Sequence, residues 1–312
     1  MAPTIFVCGA TGTQGGAVTR QLLNQGATVH ALARDPSSPK AKALSSLSGV
    51  KLFHGDFDNE AVLADALAGT QAVFLNFMPV FADMDANMRQ AELILRTAAA
   101  AGATHAVYSS GVGVDRRPDE YESLEPGSIL AALLASKASI EQLVRSYPDL
   151  TTHTILRPAN FMANYIDPFA AMQVPGLVSA EGRWHTAHRP GVQLPLVDTA
   201  TIGAVSAAAL LDPRRFHGVT LSYADEVLTV GEIVAKLAAA TGRDLQMVPM
   251  SDDEIDAQKA ANPFVAGQLA MRSMMKFIDM DEVKTWGFTL NTFDGFLERE
   301  KEAVKATYLK SA

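Results

Sequence analysis

Along the first half of the chain, apolar residues fall into two alternating rhythms. Short apolar runs at 4–10, 28–34, 50–56, 71–77, 105–111 and 152–158 read as buried strands. Between them, residues 15–24, 59–68, 84–101 and 128–146 carry helical spacing, and Gly26 closes the first of these helices. Strands that alternate with helices in this way need crossover connections. The pattern therefore predicts an α/β fold, a doubly wound parallel sheet of Rossmann type.

After Pro158 the rhythm changes. Residues 168–195 are rich in Gly, Pro and His without a clean period and read as loops with at most a hairpin. Residues 198–211 return to helical spacing, and 219–223 supply one more strand for the main sheet. The tail reads as helical. Thr229 with Glu232, and Ser251 with Glu254, each fit a capping box that satisfies donors at a helix start. The expected division is a dinucleotide domain over 1–158, with 196–223 returning to it. A smaller, mostly helical substrate domain over 159–312 is discontinuous, built from about 159–195 and 224–312.

Three glycines, in Gly9-Ala10-Thr11-Gly12-Thr13-Gln14-Gly15, stand where the first strand meets the first helix. Glycine permits the tight turn and a close backbone approach, and the helix N-terminus offers N–H groups and a positive dipole end to a pyrophosphate. The second strand ends Ala33-Arg34-Asp35-Pro36. Arg34 can grip a 2′-phosphate with its planar fork, assisted by Lys40 or Lys42, whereas Asp35 would serve the ribose hydroxyls of NAD. The arginine favours NADP(H).

Composition narrows the partners. A net charge of −8 with no run of Lys and Arg disfavours a phosphate-backbone binder, so no nucleic acid is expected. Cys8 is the only cysteine, which excludes an intrachain disulfide and the cysteine-rich classes. The most apolar stretch, 91–108, is interrupted by Arg96 and Gly102, and the chain enters a strand with no leader ahead of it. The expectation is a soluble, cytoplasmic protein without a membrane partner.

Beyond the glycine turn, the chain carries Arg34-Asp35-Pro36, Gly55-Asp56-Phe57, Leu156-Arg157-Pro158 with Phe161, Met162 and Asn164, and Leu194-Pro195-Leu196-Val197-Asp198 with Ile202-Gly203. With them the chain resembles the NmrA-like family of atypical short-chain dehydrogenases/reductases, common in fungi and related to isoflavone-reductase-like enzymes. The founding branch comprises redox-sensing regulators that bind dinucleotides without turning them over. The resemblance implies that Thr11–Gly15 hold the pyrophosphate and Arg34 the 2′-phosphate. It also implies that Asp56 and Phe57 flank the adenine and that Asn76, Asn160 and Phe161 lie near the nicotinamide. Phe57 and Phe161 can equally be core residues, and Asp56 a turn residue.

Standard short-chain reductases protonate a nascent alkoxide with a Tyr that stands four residues before a Lys. None of the six tyrosines here has that partner; Leu133 stands four residues before Lys137. A lysine in the matching helix is the catalytic or ribose-binding group proposed for isoflavone-reductase-like enzymes. Lys137 is thus a ribose ligand, a general acid if burial lowers its pKa, or an ordinary exposed helix lysine. Ser109 and Ser110 end the fifth strand, where the standard fold keeps its catalytic serine, although a structural role fits them too.

Trp184-His185-Thr186-Ala187-His188 reads chiefly as a surface loop, with Trp184 and the histidines as substrate contacts in second place. No third ligand accompanies the histidines, so no metal is expected. Tyr165 is pocket wall or acid, and the methionines of 271–275 are core or pocket lining. The leading functional reading is an NADPH-dependent reductase of a small organic molecule in secondary metabolism. Its substrate would be an iminium or activated alkene, since a reduced iminium needs no proton donor at carbon. Two alternatives stay open: an NADP(H)-sensing regulator acting through a protein partner, and a non-redox cyclase that keeps the dinucleotide as part of its pocket.

Overall fold

The computed structural model describes residues 2–309. The chain separates into two compact units. The first takes 1–114, 135–157 and 202–221, and the second takes 115–134, 158–201 and 222–312.

In the first unit, six strands follow the expected apolar runs: β1 Thr4–Val7, β2 Thr28–Ala33, β3 Val50–His54, β4 Ala72–Leu75, β5 His105–Ser109 and β6 Thr152–Pro158. A seventh, Thr220–Tyr223, joins the free side of β6, so the sheet order runs β3, β2, β1, β4, β5, β6 and then this last strand. Neighbours pair in parallel, with Ile5 opposite both Val29 and Ala72. The helices are α1 Thr13–Asn24, α2 Pro39–Ser45, α3 Glu60–Leu67, α4 Ala86–Ala100 and α5 Ile129–Ser146, of which 135–146 counts with this unit. The first five strands stop short of their expected carboxyl ends. Gly9, Asp56, Asn76 and Gly111 belong to the turns that follow, where a parallel sheet presents its ligand-binding edge.

The sequence reading missed α2. Its cap is Ser38, whose hydroxyl accepts from the Ala41 N–H, and Pro39 occupies the first turn, where a missing N–H costs nothing. The first-unit core gathers Phe6, Leu32, Leu63, Val73, Leu75, Ile94 and Tyr108. The helix Thr199–Leu211 lies so close to α1 that a Cβ on Gly203 would fall 2.8 Å from the Ala17 carbonyl oxygen. Only glycine allows that approach.

The second unit corrects several expectations. First, 115–134 belongs to it and not to the N-terminal domain. This segment is tied down by the Glu122 N–H donating to Ser273 Oγ at 2.7 Å, by Arg272 paired to Glu122 at 2.6 Å, and by Tyr121 packed edge-on against Phe277. The second unit is also not smaller, since the two take nearly equal shares of the chain. Second, 168–195 is not bare loop. It holds two short helices and the strands Arg183–Thr186 and Gln193–Val197. Third, those strands form no hairpin with each other. Arg183–Thr186 runs parallel to Gln246–Pro249, while Gln193–Val197 lies between Glu226–Thr229 and Asn160–Phe161. Strand partners distant in sequence leave no local turn signal.

Both capping boxes form, at Thr229 with Glu232 and at Ser251 with Glu254. The second core is built from Met162, Tyr165, Leu177, Trp184, Ile233, Leu237, Phe293 and Phe296 among others. Among the described residues no helix is long and apolar enough to cross a membrane.

Candidate functional site

The glycine turn leaves β1 through Gly9, whose φ of +64° is open to glycine at little cost. Gly12 donates to the Gly9 carbonyl at 2.8 Å and then caps α1 with an extended backbone and no side-chain acceptor. The first-turn N–H groups of α1 therefore have no side-chain cap, as an anion site at a helix start requires. A Cβ on Gly15 would fall 2.4 Å from the Gly9 carbonyl oxygen, so this third glycine lets α1 pack on the strand end.

Gln14 does something the sequence did not announce. Ser109 Oγ donates to Gln14 Oε1 at 2.8 Å, and Gln14 Nε2 donates to Asn76 Oδ1 at 3.2 Å. One amide thus ties the ends of β4 and β5 to the glycine turn. It orients Asn76, the residue placed by resemblance at the nicotinamide end.

Arg34 stands exposed at the end of β2, and among the described residues it has no hydrogen-bond or ion-pair partner. Its guanidinium is free for an anionic ligand. The neighbouring Asp35 is engaged locally, accepting from the Ser37 N–H at 2.8 Å and its hydroxyl at 2.6 Å, bonds that lower its carboxyl pKa. Lys40 and Lys42 are exposed in α2. Asp56 is exposed and accepts from the Asp58 N–H at 3.1 Å. Phe57 is half-buried, edge-on to Phe77 at 6.0 Å, and packs on the first core.

Lys137 is half-buried on α5, and its Nζ donates to the Ser110 carbonyl at 2.9 Å. Burial lowers the ammonium to about 8, partly opposed by the charge of Glu141. Two N–H donors remain on Nζ for a ligand. The Ser110 side chain points elsewhere, donating to Glu141 Oε1 at 2.5 Å. Glu141 is buried, 1% exposed, and also accepts from Arg157 Nε at 2.8 Å and Nη2 at 2.6 Å and from Arg145 Nη2 at 2.9 Å. Burial alone would raise this carboxyl, but Arg157, Ser110 and Arg145 together hold it below the usual range.

Glu141 and Arg157 were missed as members of the site. The available signal was charge on an apolar face: Lys137 and Glu141 share one stripe of α5 with Ile140 and Val144. Tyr108, the tyrosine of β5, is buried, and burial raises its phenol well above the ordinary range.

The second-unit candidates lie mostly in a core. Asn160 and Phe161 are half-buried, and Asn160 Nδ2 donates to Tyr165 Oη at 3.2 Å. Tyr165 is buried against Phe293, and desolvation raises its phenol, which makes it a poor acid near neutrality. Trp184 is buried in the same core, and Met271 packs against it. The surface-loop reading of 184–188 is corrected: His185 is exposed, but Trp184, Thr186, Ala187 and His188 are buried. The strand Arg183–Thr186 pairs here with Gln246–Pro249 and turns Trp184 and Thr186 inward, and the Ala187 N–H that follows donates to the buried Gln268 Oε1 at 2.8 Å. Burial lowers His188 to about 3, and it is neutral at ordinary pH.

A model of the NmrA-like family matches residues 1–295. An NmrA-like family domain-containing oxidoreductase of Aspergillus hancockii is 30% identical over 271 residues, covering 80% of this chain and 76% of that protein. An NAD(P)H azoreductase of Xenophilus azovorans is 28% identical over 247 residues, 79% of this chain and 77% of that one. Among solved structures, the triphenylmethane reductase of Citrobacter sp. complexed with NADP(H) shares the fold with a TM-score of 0.71 at 21% identity, over 95% of this chain and 99% of that one.

Proposed function

Because this chain belongs to the NmrA-like family, we propose that it is an NADP(H)-dependent reductase of a small organic molecule, acting on an iminium or activated alkene. The relatives named oxidoreductase and NAD(P)H azoreductase support the redox reading. The residues present fit the dinucleotide. A turn in which only glycine leaves room, an uncapped helix start and an unpaired arginine are what a pyrophosphate and a 2′-phosphate need.

The turn at Gly9–Gly15 would hold the pyrophosphate and Arg34 the 2′-phosphate, with Asp56 and Phe57 at the adenine and Asn76 at the nicotinamide. When bound, the cofactor supplies a hydride. Lys137, steadied by the Ser110 carbonyl, turns its two remaining donors to the ribose hydroxyls. Gln14 fixes Asn76 from one side and Ser109 from the other, which keeps both from rotating into the ligand space.

One observation carries the choice of substrate. Lys137 occupies the lysine position of the usual dyad, but Leu133 stands where the proton-donating tyrosine would be, and the phenol of Tyr108 is buried. A ketone would become an alkoxide with no tyrosine to protonate it and with Lys137 committed to the ribose hydroxyls, whereas an iminium becomes a neutral amine. The test compares wild type with Lys137→Met on a preformed cyclic iminium and NADPH. Loss of the ribose contacts is expected to weaken NADPH binding and slow turnover by about tenfold or more, the scale of one or two hydrogen bonds to a charged group. Unchanged binding and rate would remove Lys137 from the site.

A further inference from the structure

The strand order reverses between β1 and β4: the chain builds outward to β2 and β3 on one side and to β5 and β6 on the other. At such a switch point the turns that follow the two strands part and leave a crevice for a ligand. The turn after β1 is the glycine turn. The one after β4 runs Asn76-Phe77-Met78-Pro79-Val80-Phe81-Ala82-Asp83.

This second turn is unusually apolar for a surface segment. Met78 is 75% exposed and Phe81 68%, and among the described residues they are the two most exposed of the large apolar side chains. Phe77 turns inward, buried, with its ring 6.3 Å from Tyr108. The turn is fastened at several points. Asn87 Nδ2 donates to the Met78 carbonyl at 3.0 Å, the Asp83 N–H to the Val80 carbonyl at 3.0 Å, and Arg89 pairs with Asp83. Ser136, the residue before Lys137, donates through Oγ to the Met84 carbonyl at 3.4 Å. The Ser136 bond ties the end of this segment to the helix that carries Lys137, while Met78 and Phe81 stay exposed.

Resting on the reductase reading above, we propose that Met78 and Phe81 form the apolar wall against which a flat, ring-containing substrate lies. A phenyl face and a polarisable thioether are suited to a π-system, while a small polar substrate would leave both in water. Two side chains present on the order of 300 Å², well below the roughly 800 Å² per partner that a stable protein contact needs. Their scale is that of a small molecule.

The test uses the double variant Met78→Ser/Phe81→Ser, whose positions are exposed and outside the core. Wild type and variant, each saturated with NADP⁺, are titrated calorimetrically with N-methyl dihydroisoquinolinium, a flat bicyclic iminium, and with monocyclic N-methyl pyrrolinium. The expected result is a loss of about tenfold or more in affinity for the bicyclic probe, with less than about twofold change for the monocyclic one and for NADP⁺. Equal affinity of wild type and variant for the bicyclic probe, or no binding of it by wild type, would overturn the proposal. If the bicyclic probe binds through these residues but never consumes NADPH, the wall stands and the reductase reading fails.

Discussion

Lys137 gives one hydrogen bond, of 2.9 Å, to the carbonyl oxygen of Ser110, and the hydroxyl of that serine gives one of 2.5 Å to Glu141. Lysine and glutamate stand one helical turn apart on α5, joined through a residue of the strand end and not to each other. The serine carbonyl steadies the ammonium without spending its remaining donors.

That ammonium is lowered to about 8, so it is charged at neutrality and loses its proton as pH rises through that value. As a base whose folded pKa is depressed, it costs stability below about 8, and the cost fades as pH climbs toward its ordinary range. A ribose contact made by the charged form follows the opposite course. NADPH affinity of wild type, followed by fluorescence titration, should weaken as pH rises through about 8, while Lys137→Arg stays level. A wild-type profile flat across that range would mean the ammonium does not meet the cofactor.

Arg34→Ala should narrow the preference for NADPH over NADH by about tenfold or more, the value of a charge-assisted bidentate contact to phosphate. Calorimetry with both cofactors on both proteins decides it. Equal affinities of wild type for NADPH and NADH would return the second-strand end to its NAD alternative. Asp35 would be a weak candidate for that role, since its carboxylate is turned to Ser37.

The glycines of the turn separate binding from folding. Gly15→Ala sets a Cβ 2.4 Å from the Gly9 carbonyl oxygen, a backbone atom that cannot step aside, and should lower the melting temperature through about 1–3 kcal/mol of strain. Gly12 is exposed, with its Cβ site 3.1 Å from the same oxygen. Gly12→Val should leave a folded protein that has lost measurable NADPH affinity. Tight cofactor binding by a folded Gly12→Val would show that the pyrophosphate does not sit there.

Much of this site could be read from the residues because local backbone demands chose them. A positive φ at Gly9, the close approach at Gly15 and the strand-end positions of Arg34 and Asn76 all follow from where a strand gives way to a turn. What escaped depends on distant partners. Glu141 is silent until β6 lies beside β5 and brings Arg157 to it, and Gln14 looks like one more turn residue until Ser109 and Asn76 close around it. His188 was hidden by composition, because Gly and Pro around it suggested an exposed loop, whereas it lies buried just beyond the strand Arg183–Thr186 that pairs with Gln246–Pro249.

The second unit offers an independent pH test. Asp225 is buried and accepts from the Asp198 N–H at 2.6 Å, the Asn291 N–H at 2.8 Å and Thr201 Oγ1 at 2.7 Å, while Arg299 pairs with Asp198. Desolvation, with the Asp198 charge beside it, raises its carboxyl to about 6 despite those bonds. A carboxyl raised on folding stabilises most when protonated, and that contribution is lost as pH rises through the folded value. Melting temperatures of wild type relative to Asp225→Asn should therefore be higher at pH 4 than at pH 7. A difference independent of pH would show that Asp225 titrates normally.

The proposed reaction is hydride delivery to a centre that needs no protein acid. It is tested most directly by following NADPH absorbance with wild type and a matched pair of substrates, a cyclic iminium and the ketone of the same carbon skeleton. The expected result is steady NADPH consumption with the iminium and little or none with the ketone, because Leu133 cannot donate a proton and Lys137 is engaged by the ribose. Fast reduction of the ketone, or no NADPH consumption with any iminium or activated alkene, would contradict the account.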